Sequence, residues 1–105
     1  MKKLIYAFLF FSTQLYAADT YLHGTIVDIT SVSEGLLIKM DKQSVPDICQ
    51  NRSPFGWMLI PNDRKAIMAV MLMNWYQKKT SASIYVDFDQ KNNAYCTISQ
   101  IDPDN

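Results

Sequence analysis

WMLIPNDRKAIMAVMLMNWYQKK, running from Trp57 to Lys79, holds a short apolar run, a proline and then a long apolar run, and its reading decides the fold. Trp57–Ile60 reads as a short strand ended by Pro61, which offers no N–H to a ladder. Asn62 is placed to cap a helix, its side-chain oxygen accepting one of the orphan backbone N–H groups. Asp63 in the first turn and Lys78-Lys79 at the far end suit the helix dipole. Ala66 to Met73 is apolar at every position. Period cannot separate helix from strand in such a run, but its length and its Ala, Met and Leu content predict a helix over Arg64 to Tyr76.

A surface helix ordinarily shows one apolar stripe. This one is apolar nearly all round for two turns. One face can pack on a sheet, and the opposite face then needs cover, either from the chain's own loop at 42–56 or from another subunit. Ile67, Val70, Met71 and Asn74 are the candidate oligomer interface.

Upstream, Tyr21 to Val32 is rich in Ile, Val, Thr and Tyr and reads as a strand. Ile26 and Val27 are adjacent, so they face opposite sides or flank a bulge, and Gly24 would suit a bulge or bend. Ser33-Glu34-Gly35 is a turn. Leu36 to Asp41 alternates, with Leu36, Ile38 and Met40 on one face, which completes a hairpin. Lys42 to Gly56 is irregular, and a loop of that length in a small domain is either functional or tied down. Downstream, Ser83 to Asp89 alternates with Ile84, Val86 and Phe88 inward. Gln90 to Asn93 is a polar turn, and Ala94 to Ile101 closes a second hairpin.

The N-terminus reads separately. Lys2 and Lys3, the apolar run Leu4 to Phe11 and Leu15-Tyr16-Ala17 make a secretory signal peptide over residues 1–17, cleaved after Ala17. The apolar run is eight residues long, whereas a membrane span needs about 20. Cleavage leaves one small domain, residues 18–105, expected in the periplasm or outside the cell. Cys49 and Cys96 then reach an oxidising compartment and are expected to pair. Closing that loop contributes about 4 kcal/mol in the chain-entropy account.

Loss of Lys2 and Lys3 leaves eight basic residues against ten acidic ones, a formal charge of −2. That balance lacks the basic footprint of a nucleic-acid binder and argues against an anionic membrane surface. Nucleophilic hydrolysis needs a base beside its nucleophile, and His23 is the single histidine. It stands in a predicted strand and reads as a half-exposed structural residue. No phosphate loop, zinc spacing or other cofactor motif occurs. Asp87-Phe88-Asp89 fails as a calcium loop, because Lys91 and Ile98 stand where ligands are required. The expectation is a non-catalytic protein without metal or cofactor.

Recognition is better supported. Tyr21, Tyr85, Tyr95, Phe55 and Trp57 lie in or beside strands and the long loop, and such aromatics make either ligand surfaces or ordinary sheet packing. Trp57 is assigned to the core. Asn51, Arg52 and Phe55, on the loop tied by Cys49, are the candidate ligand-binding residues.

The order hairpin, stapled loop, short strand, helix, hairpin predicts a mainly β fold with one helix. It is that of a five-stranded barrel of the oligonucleotide/oligosaccharide-binding (OB) type, its helix between the third and fourth strands. Gly24–Ile29, Gly35–Lys39, the helix at 63–79 and Tyr95–Ile98 resemble the receptor-binding subunits of bacterial ring-forming toxins, such as the cholera, Shiga and subtilase toxin families. The resemblance implies a glycan- or receptor-binding subunit that assembles with its own kind. Those families' sugar-contact residues have no counterpart here, and their pore-lining helices tolerate polar residues, unlike Ala66–Met73. The alternative is a monomeric periplasmic inhibitor or immunity-type protein that uses the stapled loop.

Overall fold

The computed structural model describes residues 19–90 and 94–104; the expected leader, residues 1–17, lies outside them. Five strands and one helix follow in the order β1 (Tyr21–Val32), β2 (Gly35–Met40), β3 (Trp57–Pro61), α1 (Lys65–Tyr76), β4 (Ser81–Val86) and β5 (Cys96–Pro103). The strands form a closed barrel in the order β1-β2-β3-β5-β4, with β3 and β5 parallel and the other pairs antiparallel.

β1 serves both sides of the closure. Tyr21–Thr25 pairs with β4 and Ile26–Val32 pairs with β2, and the β1–β2 register slips between Ile26 and Asp28. The irregularity falls at Val27, so the adjacent apolar pair does flank a bulge. Gly24 lies outside that slip, and a Cβ there would sit 3.2 Å from the Met40 methyl. The first hairpin turns at Ser33-Glu34. Gly35 follows at φ 155, and a Cβ at this position would lie 2.0 Å from the Ile60 carbonyl oxygen.

The barrel interior is filled by Ile26, Leu36, Ile38, Met40, Met58, Ile60, Ile84, Val86, Ile98 and Ile101. Met71 of α1 enters the same cluster with no exposed surface, as do Cys49 and Cys96. These two cysteines form the expected disulfide, with Cα atoms 5.7 Å apart. It ties the connection between β2 and β3 to the start of β5. That connection holds three short 3-10 turns, at Asp41–Gln43, Asp47–Cys49 and Pro54–Gly56. It is anchored by buried Pro46, Cys49 and Gly56. Leu37, Leu59 and Thr97 are cross-strand neighbours on β2, β3 and β5. They are buried too, but outside the main cluster.

Three local expectations need correction. Asn62 does not cap α1: its amide donates to the Ser33 carbonyl (2.7 Å), bracing the β1–β2 turn. Arg64 takes the N-cap position without a side-chain cap, and Asp63 precedes the helix. Phe88 is not inward. β4 leaves the sheet after Val86, and Phe88 stands exposed. Gln90, read as part of a polar turn, is buried instead. Its Oε1 accepts the Thr97 N–H (2.8 Å), while its Nε2 donates to the Asp87 carbonyl (2.7 Å) and the Thr97 carbonyl (3.3 Å). The side-chain amide thus partners the Thr97 N–H, while the Thr97 carbonyl also accepts the Asp87 N–H (3.0 Å).

α1 packs on β3 and β5. Its last turn closes with the Lys79 N–H on the Asn74 carbonyl (2.8 Å) and the Lys78 N–H on the Trp75 carbonyl (3.0 Å). That is a Schellman ending, with Lys78 at φ 63 where glycine is usual. No helix among the described residues is long and apolar enough to cross a membrane.

Candidate functional site

Three surfaces carry the residues that could bind something. The first is the outer face of β1, β4 and β5. Alternation along β1 turns Tyr21 and His23 outward, and the β1–β4 register sets Tyr21 opposite Tyr85 and His23 opposite Ser83. Gln100 and Asp102 follow opposite Tyr85 and Ser83 on β5. The Tyr21 and Tyr85 rings are stacked, with centroids 5.6 Å apart and planes 23° apart. Beside them, His23 Nδ1 is 3.0 Å from Ser83 Oγ, and His23 Nε2 is 3.2 Å from Asp104 Oδ2. Ser81 Oγ donates to the same Asp104 oxygen at 2.7 Å. The face therefore offers two aromatic rings flanked by a hydroxyl, imidazole and carboxylate row.

Ser83, His23 and Asp104 have the connectivity of a nucleophile, base and orienting acid. Their setting is open to solvent. The His23 and Asp104 side chains are 53% and 49% exposed on the outside of the barrel. Preorganised oxyanion donors act strongly only where water is excluded. Among the described residues, no group of three or more His, Cys, Asp or Glu is placed to hold a metal ion.

The second surface is the stapled loop. Asn51 and Arg52 line a shallow depression with Ser53, Pro54 and Ala94. Arg52 is engaged with the Gln90 carbonyl, so it braces the loop against the segment after β4. Phe55 is 74% exposed, at φ 56. Such a backbone is strained for an aromatic residue. Trp57 is half-buried, with Lys39 Nζ 4.4 Å from its ring centroid. Its ring is thus covered by a cross-strand cation rather than offered as a platform.

The third surface is α1. Of the four residues expected at an interface, Met71 is fully buried, while Ile67 and Val70 pack against the core. Asn74 is half-buried and donates to the Val70 carbonyl at 2.8 Å. The face 67/70/71/74 is therefore the inward one. The outward face carries Ala66, Ala69, Leu72, Met73 and Tyr76, and the stapled loop leaves it uncovered. Met73 is 59% and Tyr76 86% exposed.

A groove of about 520 Å³ lies beside the start of α1, lined by Glu34, Leu59, Pro61, Asp63, Arg64 and Asp87, among others. Two of its charges, Arg64 and Asp87, are half-buried and engaged with each other, whereas Glu34 and Asp63 are exposed. Arg64 Nη1 meets both Asp87 oxygens (3.0 and 2.9 Å) and donates to the Ile98 carbonyl (2.7 Å). Thr97 Oγ1 donates to Asp87 Oδ2 at 2.6 Å.

No protein-family model, no curated protein and no solved structure matches this chain.

Proposed function

We propose that the chain is an exported, non-catalytic interaction module of the OB type, a glycan- or receptor-binding subunit that uses its sheet surface and assembles through α1. The cyclic strand order, the parallel β3–β5 pair and the helix between β3 and β4 support the OB reading. The buried Cys49–Cys96 disulfide supports an oxidising location.

The observation that carries the binding role is the outer face of β1, β4 and β5. A pyranose presents an apolar C–H face and a rim of hydroxyls. Stacked Tyr21 and Tyr85 match the first, and His23, Gln100, Asp102 and Asp104 match the second. The half-exposed Ser83–His23–Asp104 row suits hydrogen bonding to such a ligand better than acyl transfer.

A glycan array probed with the mature protein tests this. The expected result is a defined set of bound glycans, lost in Tyr21→Ala and in His23→Ala and kept in Phe55→Ala. No bound glycan at high protein concentration overturns the sugar reading. Phe55, exposed on the stapled loop, favours the second reading, a monomeric inhibitor or immunity-type protein. That reading requires Phe55→Ala, rather than Tyr21→Ala, to abolish partner binding.

A further inference from the structure

We infer that α1 pairs with α1 of a second copy of this chain, antiparallel, about a two-fold axis level with Met71. This rests on the assembly part of the proposed function and supplies its partner and geometry. The outward residues Ala66, Ala69, Met73 and Tyr76 are separated by steps of three, four and three. That spacing makes a narrow seam along one side of a helix, the pattern by which two helices interdigitate.

The contents of the seam select its direction. In an antiparallel pair centred at Met71, Ala66 meets Tyr76 and Ala69 meets Met73. Met73 and Tyr76, the two most exposed apolar side chains of α1, then each face an alanine, while Leu72 lies beside the seam. The same axis sets Asp63, just before α1, against Lys79, just after it, once at each end of the pair. Both residues are exposed, and neither has a salt-bridge partner among the described residues. A parallel pair would oppose Tyr76 to Tyr76 and alanine to alanine, leaving one end crowded and the other empty. It would also set like charges together at both ends.

Size sets the strength. A helix of 12 residues is about 18 Å long, and two such faces cover less than the ~1,600 Å² of a standard interface. The pair is a concentration-dependent equilibrium rather than an obligate dimer.

Sedimentation velocity of the mature, disulfide-intact protein over a concentration series at low salt tests the inference, because exposed charge pairs are screened by salt. The expected result is a monomer–dimer equilibrium that Met73→Glu abolishes. Asp63→Lys and Lys79→Asp should each weaken it about fivefold or more, and the double exchange should restore it. All three positions are exposed, and far-UV circular dichroism verifies that each variant is folded. If Met73→Glu dissolves the dimer while the charge exchanges do nothing, assembly through α1 stands and the antiparallel geometry falls. An oligomer indifferent to Met73→Glu overturns α1 as the interface, and a defined species larger than a dimer overturns the two-fold. A monomer at every concentration overturns the pairing together with the assembly part of the proposed function, and leaves the glycan test untouched.

Discussion

Two residues show how tightly single positions are constrained. Gly35 sits where β2 begins, with the Ile60 carbonyl of β3 against its Cα hydrogens. Any side chain there must push two paired strands apart. Gly35→Ala should cost more than about 3 kcal/mol, seen as a large drop in the urea midpoint; a loss under 1 kcal/mol would contradict the close approach. Lys78 is the opposite case, since its left-handed backbone closes α1 at a cost that glycine would not bear. Lys78→Gly should raise stability by about 1 kcal/mol. An unchanged or lower urea midpoint would show that the Schellman ending is not under strain.

At the scale of the element, α1 has two faces of nearly equal greasiness with different roles. Met71 is fully buried in the barrel core, whereas Leu72, its neighbour in sequence, is exposed. Met71→Ala should destabilise by about 2–5 kcal/mol, and Leu72→Ser should stay within about 0.5 kcal/mol at concentrations where the protein is monomeric. Comparable losses at both positions would mean that the assignment of faces is wrong. The extent of α1 is legible in the sequence, because a run of Ala, Met and Leu between Pro61 and Lys78-Lys79 has few alternatives to helix. Its phase is not. A helix apolar all round gives periodicity nothing to lock onto, so Ile67, Val70, Met71 and Asn74 read as an outer face although they turn inward. Phe88 misleads for a related reason: alternation continues through Ser83–Asp89, while the strand itself stops at Val86. Gln90 leaves no signal, since its burial depends on Thr97 arriving from β5.

At the scale of the molecule, the element order and the Cys49–Cys96 pairing are legible, because strands, turns and an even cysteine count are local or simple to combine. The sheet face is only partly so. Tyr21 and Tyr85 are candidates as separate aromatics, but His23 reads as structural until closure brings β4 beside β1. Ser83, 60 residues away, then comes within hydrogen-bonding reach. The disulfide spans 47 positions and joins the long connection to β5. Reducing it should therefore lower stability by about 4 kcal/mol and loosen the 41–56 segment first, as read by hydrogen exchange. Protection unchanged on reduction would show that the loop is held by packing alone. The proposed export and the disulfide depend on each other, since an unexported chain would meet a reducing compartment. Intact-mass spectrometry of the protein purified from its native source tests that joint claim most directly. The account predicts a chain beginning at Ala18 and two hydrogens lighter than its fully reduced form; a leader still attached, or two free thiols, would contradict it.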